Sequence, residues 1–307
     1  MFAGDSNRIN REYIDSLQIE FRHIDTDIAD TTFTLFGETF QTPIMTAALS
    51  HLNNVYPNGM VEHAKGAYDA GAIHWVGMGQ DDNPNRELSE IVATGARCIK
   101  IIKPFYDNDV IFEEIAHAKA CGVLAVGMDL DHAMHRNGGY DVVVGHKMKS
   151  KSFTELCEFV RYAEIPFIVK GVLSETDASK CLVAGVQGML VSHHAGIMNY
   201  AVPPLRILPN IAKLVNKQVP LFVDCSIHNG MDAFKALALG ASGVCVGKAV
   251  MEQLKAKGAA GVTSKIEEAT RELQGVMGFT NCKKLDEIEE GIIWKSSITH
   301  HLESYDS

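Results

Sequence analysis

A chain of 307 residues, 46% hydrophobic and 21% charged, has the composition of a soluble globular protein and suits one α/β barrel domain. Its formal net charge of −10, with no run of Lys or Arg, argues against nucleic acid or an anionic membrane as partner. No apolar stretch reaches ~18 residues and the N-terminus MFAGDSNRINREY is polar, so neither a membrane span nor a signal peptide is expected.

The first 42 residues suggest a short helix and then an apolar/polar ribbon, TTFTLFGETFQTP, with Phe-Gly at its turn. The ribbon reads as a hairpin closing the bottom of a barrel. From residue 43 one pattern recurs: an apolar run, an amphipathic stretch, a glycine. The apolar runs are 43–48, 73–78, 98–102, 123–129, 166–170, 188–194, 220–225 and 243–248. They lack polar alternation, as parallel strands buried on both faces do. Helical patterns such as 108–122 and 174–185 lie between them, with Thr154 and Ser174 as N-caps. Gly71, Gly122, Gly185 and Gly240 supply left-handed stops. Eight such units point to a closed (β/α)8 TIM barrel, with an open doubly wound sheet as the alternative. Segment 130–151 is the longest connection without a period and a candidate lid. A helical pattern at 264–277 and a charged tail follow the eighth strand. The expected organisation is one domain over 1–307: a cap over 1–42, the barrel over 43–258 and C-terminal helices over 259–307.

Seven cysteines (Cys98, Cys121, Cys157, Cys181, Cys225, Cys245 and Cys282) are scattered through the chain, with no CxxC or Cys/His spacing. They read as small core residues of a reduced compartment, the cytoplasm, without a metal site.

In such barrels chemistry sits at the carboxyl ends of the strands. Those ends read Ala47-Ala48, Met78, Lys100, Asp129, Lys170, Ser192-His193-His194, Asp224 and Gly247-Lys248. Singly, each ionisable group is as well read as a solvated charge at a loop start. Together, Asp129, Lys170, His194 and Asp224 mark a site. Loops after strands seven and eight are the usual phosphate site of the fold, which selects the stretch from Asp224 to Asn229-Gly230 and the turn Gly247-Lys248.

The stretches VKGVLSETDASKCLVAGVQGMLVSHHAG (169–196) and PLFVDCSIHNGMDAFKALALGASGVCVGKAV (220–250) resemble the FMN-dependent 2-hydroxy-acid oxidases and dehydrogenases, such as glycolate and lactate oxidase. FGETFQTPIMTAA (36–48), HAKGAYDAGAIHWVG (63–77) and GVLAVGMDLD (122–131) fit as well. The resemblance implies an FMN enzyme and a homo-oligomer, the family forming tetramers. It implies that His194 is the catalytic base, Asp129 the carboxylate beside its imidazolium, and Lys170 the cation beside flavin N1/O2. It makes Arg136 a clamp for the substrate carboxylate. Ala47, Ala48, Ser192, Asp224, Asn229, Gly230, Gly247 and Lys248 fall on the cofactor site, with lysine for the usual arginine at 248.

The departures are on the substrate side. The family's second carboxylate-binding arginine is Ile197, an expected tyrosine is Ile102, and an expected glutamine is Lys100. Asp-Gly-Gly-Val-Arg-Arg-Gly becomes Asp224-Cys225-Ser226-Ile227-His228-Asn229-Gly230. The expectation is an oxidoreductase acting on a 2-hydroxy acid or related small carboxylate, with a substrate unlike lactate or glycolate. The alternatives are a flavin barrel without net redox, to which His193, Lys100 and Lys103 would suit, and a barrel that has lost catalysis.

Overall fold

The computed structural model describes residues 4–79 and 84–295; the charged tail expected at the C-terminus lies outside the described residues beyond Lys295. The elements run α1 (Ser6–Ser16), β1 (Leu17–Ile19), β2 (Phe33–Leu35), β3 (Glu38–Phe40), β4 (Ile44–Leu49), α2 (Gly59–Asp69), β5 (His74–Val76), α3 (Pro84–Ala93), β6 (Cys98–Ile102), α4 (Asn108–Ala120) and β7 (Ala125–Asp129). They continue with β8 (Val142–Val143), β9 (His146–Lys147), α5 (Phe153–Ala163), β10 (Phe167–Val172), α6 (Glu175–Ala184), β11 (Gly188–Val191), α7 (Pro204–Val215), β12 (Leu221–Val223), α8 (Gly230–Ala238), β13 (Gly243–Val246), α9 (Lys248–Phe279) and β14 (Ile293–Lys295). Parallel strands close a barrel in the order β4-β5-β6-β7-β10-β11-β12-β13, and β13 pairs back onto β4. All eight apolar runs are barrel strands, and closure removes the open-sheet alternative.

The strands exist because both of their faces are covered. Every residue of β6, β7, β11, β12 and β13 is buried. Inside the barrel Met45, Trp75, Ile99, Ile168, Leu190, Phe222 and Cys245 form one core. Trp75 meets Phe222 edge-on at 5.3 Å. The hairpin β2–β3 plugs the lower end of that core with Phe33, Leu35 and Phe40. Its two-residue turn has Phe36 at φ 49° and Gly37 at φ 83°, the left-handed pair that matches strand twist.

Ser174 caps α6 through the Asp177 amide, as expected. The cap of α5 is Ser152, not Thr154, which lies inside the first turn. Ser152 and Glu155 form a reciprocal capping box, and that Ser-x-x-Glu spacing satisfies two helix amides where Thr154 would satisfy one. Helix α9 is two helices meeting at Gly258 (φ 58°, ψ −143°). Glu62 Oε2 accepts from the Ala259 N–H at 2.8 Å and caps the second half. The first half starts directly after β13, in the place of the short extra helix that builds phosphate sites in this fold.

The segment after α9 is not helical throughout. It forms short 3₁₀ turns at Leu285–Glu287 and Glu290–Ile292 and then β14. Strand β14 pairs antiparallel with β1 (Leu17↔Lys295), from the far end of the chain. Local periodicity carries no trace of that pairing.

Candidate active site

The register of β7 against β10 sets Asp129 directly beside Lys170. Lys170 Nζ donates to Asp129 Oδ1 at 2.9 Å. His194 follows the end of β11 in a turn where it, Ala195 and Gly196 all have positive φ (50°, 51° and 84°). A left-handed non-glycine residue costs roughly 1–2 kcal/mol, and such strain gathers at functional sites. The turn brings His194 Nδ1 to 2.8 Å from Lys170 Nζ, 2.8 Å from Asp131 Oδ1 and 3.3 Å from Asp129 Oδ1. The expected trio of His194, Asp129 and Lys170 is therefore assembled.

Three further residues complete the cluster. Lys103 Nζ donates to Asp129 Oδ2 at 2.5 Å, so this carboxylate is held between two buried ammonium groups. Asp131 lies beside His194 and Lys170, with Oδ1 2.8 Å from His194 Nδ1 and Oδ2 3.8 Å from Lys170 Nζ. His132 stacks edge-on to His194 at 4.4 Å between ring centres.

Burial sets the direction of each titration. It pushes Asp129 up, but Lys170, His194 and Lys103 more than offset it and hold this carboxyl well below its usual range. Asp131 is raised by burial and by the neighbouring Asp129 charge, against the pull of Lys170 and His194. Burial and Lys170 push His194 down, yet the two carboxylates leave it above an ordinary histidine. Burial lowers Lys170, and Asp129, Asp131 and Asp224 return it to above its usual value. His132 is pushed down to about 4 by burial and by the cations Lys103 and His194. Ligand atoms of Asp129, Asp131 and His194 lie within 4.8 Å of one another. The Lys170 ammonium already stands among them, so the cationic place is taken by the protein.

His193 is buried and accepts from the Gly196 N–H at Nδ1, which puts its own proton on Nε2. That Nε2 is buried without a protein partner. Ser192 Oγ accepts from the His194 N–H at 3.0 Å and lies 3.5 Å from Cys225 Sγ.

At the other end of the site, Asp224 is half-buried and Cys225 and Ser226 have φ of 67° and 61°. They hold a conformation suited to glycine. Helix α1 braces this loop: Asn10 Nδ2 donates to Cys225 O at 2.8 Å and Arg11 to Ser226 O at 2.9 Å, while Arg11 also makes a two-point pair with Asp232. Asn229 caps α8, and the Gly230 N–H donates to Glu272 at 2.8 Å. Both residues are thus spent on the frame of the loop. The amides left over belong to α9, whose N-cap Gly247 offers no side chain. A Cβ on Gly247 would lie 3.4 Å from the Ala47 Cβ, so β4 and this turn form a close-walled cradle. Ala48 continues β4 half-buried, and Lys248 is exposed at the first position of α9.

Arg136 is exposed in the 130–151 connection and is not among the cluster. Ile197 is half-buried, its amide bonded to His193 O at 3.2 Å. Lys100 is buried with Nζ on Gly77 O at 3.0 Å, and Ile102 is a core residue. Sequence reasoning missed the roles of Asp131, His132 and the bracing residues of α1. Asp131 had one available signal, its place two residues beyond a strand-end aspartate.

Residues 3–160 and 142–295 match the family model described as FMN-dependent dehydrogenase. The chain is 26% identical over 307 aligned residues to glycolate oxidase of Spinacia oleracea, covering 88% of this chain and 82% of that one. It is 28% identical to 4-hydroxymandelate oxidase of Amycolatopsis orientalis, covering 84% and 82%. The structure of a mandelate oxidase with 3,3-difluoro-2-hydroxy-3-phenylpropionic acid superposes with a TM-score of 0.84 at 25% identity, covering 96% of this chain and 91% of that one.

Proposed function

The chain belongs to the FMN-dependent dehydrogenase family, and from that premise we propose that His194 is the base of an FMN-dependent oxidation of a 2-hydroxy acid. The observation that carries the proposal is the convergence of His194, Asp129 and Lys170 at adjoining strand ends. Neither a flavin barrel without net redox nor a lapsed one is favoured, since the acid–base set for the oxidation is complete.

The residues fit FMN. The buried Nε2–H of His193 lacks an acceptor, the first turn of α9 lacks a cap, and the Gly247 cradle against Ala47 suits close approach of a phosphate. Gly247 and Lys248 would hold the phosphate, with Asp224, Asn229 and Gly230 framing the loop. Ala47, Ala48, Ser192, His193 and Lys170 would line the ring system. Bound FMN supplies the two-electron acceptor that the side chains lack.

The protein's own part is acid–base chemistry. With Lys170 donating to Asp129 and Nδ1–H donating to a carboxylate, His194 presents an unprotonated Nε2 for the hydroxyl proton of a 2-hydroxy acid, which leaves as a 2-oxo acid. Carboxylates beside the imidazolium keep that proton on the protein. Lys170, locked by Asp129, provides a fixed positive charge that needs no reorganisation. Arg136 meets the substrate carboxylate by movement of the lid. Met134, Tyr140 and Val142, exposed on that lid, support a substrate with a larger apolar group than lactate.

No described helix is long and apolar enough to cross a membrane. All seven cysteines are free, which supports a reduced compartment and the cytoplasm. A homo-oligomer is supported by the exposed apolar side chains Phe21, Ile24, Ile28 and Phe279. We read the chain as a single domain, cap, barrel and C-terminal segment together.

The test is anaerobic mixing of the FMN-loaded protein with a panel of 2-hydroxy acids, followed by absorbance. At least one member bleaches the wild type, and His194→Ala slows bleaching by about 10²–10⁴-fold while retaining FMN. His193→Ala has the smaller effect on rate. Fast reduction in His194→Ala with none in His193→Ala would overturn the assignment.

A further inference from the structure

The base His194 has two candidate carboxylate partners, and the geometry does not treat them alike. Asp129 lies at 3.3 Å from Nδ1, and both of its oxygens are already committed: Oδ1 accepts from Lys170 at 2.9 Å and Oδ2 from Lys103 at 2.5 Å. Asp131 lies at 2.8 Å from Nδ1, its Oδ2 is buried without a hydrogen-bond partner, and Lys170 stands off at 3.8 Å. A carboxylate with two ammonium groups on it has little negative potential left for an imidazolium. One whose nearest donor is the imidazole itself has most of it.

A backbone feature makes room for Asp131. Strand β10 breaks register between Lys170 and Val172, and the intervening Gly171 has φ +93°. A Cβ there would fall 2.6 Å from Asp131 Cγ and 2.7 Å from its Cβ. The bulge thus bares a patch of β10 backbone against which Asp131 packs. β-Bulges beside functional groups commonly re-aim a side chain in this way.

We propose that Asp131, not Asp129, is the residue that positions His194 and holds its protonated form, Asp129 serving as the shared counter-ion of Lys103 and Lys170. The proposal rests on His194 being the base. It divides two tasks between residues two apart on one strand end: charge neutralisation inside the barrel, and orientation of the imidazole at its mouth. Lys103 is the residue that makes the division necessary.

The groups facing His194 are Asp129, Asp131 and His132 from the β7 end, Lys170 from β10, and its neighbour His193. Lys103 and Asp224 act at one remove, through Asp129 and Lys170. The decisive measurement is the titration of His194 in the oxidised, FMN-loaded protein. Ring-carbon shifts of isotopically labelled histidine report it, and His194→Gln assigns the signal.

Asp131→Asn drops the apparent pKa of His194 by about one unit or more, and Gly171→Ala, which displaces Asp131 with its charge intact, lowers it in the same direction. The paired change Asp129→Asn with Lys103→Met keeps the local charge and leaves the His194 titration near that of the wild type. The base limb of the pH profile for flavin reduction moves with the same variants, whereas KM for the hydroxy acid changes less than kcat. An unchanged titration in Asp131→Asn overturns the proposal, as does a larger drop in the paired variant than in Asp131→Asn. The titration needs no turnover, so it settles the pairing even if no hydroxy acid bleaches the wild type, a result that would count against the proposed reaction alone.

Discussion

Lys103 Nζ lies 2.5 Å from Asp129 Oδ2, and the two side chains are 9% and 3% exposed. Asp129 faces Lys170 on its other oxygen, so one buried carboxylate is shared by two buried ammonium groups. Removing Lys103 leaves Asp129 paired with Lys170 but takes the charged donor from its buried Oδ2.

Lys103→Met is therefore expected to cost about 1.5–3 kcal/mol, the range for a hydrogen bond to a charged group. Urea unfolding monitored at a fixed m-value measures it. The double variant with Asp129→Asn should lose less than the sum of the two single losses, because both changes act on one contact. Strictly additive losses would show that the contact contributes nothing.

Lys248→Glu puts a negative charge where the uncapped first turn of α9 faces the Gly247 cradle. Helix-terminus charge effects of about 1–1.5 kcal/mol correspond to roughly tenfold weaker FMN retention. Release of FMN fluorescence on dilution reads this directly. Equal retention in variant and wild type would move the phosphate away from this turn.

Ile197 stands where the resemblance expects a second carboxylate-binding arginine. Ile197→Arg should raise kcat/KM for lactate or glycolate about 10- to 100-fold, since a two-point guanidinium–carboxylate pair is among the stronger polar contacts. In the wild type, kcat/KM for lactate is expected below ~10⁶ M⁻¹s⁻¹. A wild-type value above that line would show that Arg136 alone suffices.

His63 and His74 meet edge-on at 5.0 Å under the barrel wall. Burial pushes His63 down to about 3, and His74 is also lowered by burial and by His63. Both fold as neutral rings, while the unfolded chain takes up their protons near pH 6.5. Their contribution to stability is whole above that pH and is lost as pH falls, for His63 down to about 3, at up to about 1.4 kcal/mol per unit for each ring. His63→Gln should flatten this limb in a series of unfolding curves from pH 7 to 4. An acid limb as steep as that of the wild type would place the sensitivity elsewhere.

What local sequence determined is everything with a short period. The eight apolar runs specified eight buried strands, because a strand covered on both faces can carry no polar alternation. The Phe-Gly turn, the Ser174 cap and the stop glycines are decided by φ preferences within a few residues. Strand-end chemistry was legible for the same reason: Asp129, Lys170 and His194 each end or follow an apolar run. Tertiary structure alone decided who meets whom. The β7–β10 register set Lys170 beside Asp129, the Gly171 bulge admitted Asp131, and the β6–β7 register carried Lys103 onto the far oxygen of Asp129. The bracing of the Cys225-Ser226 loop by Asn10 and Arg11, and the β1–β14 ribbon, join opposite ends of the chain. Those pairings depend on loop closure and packing summed over the whole barrel, so no window of neighbouring residues contains them.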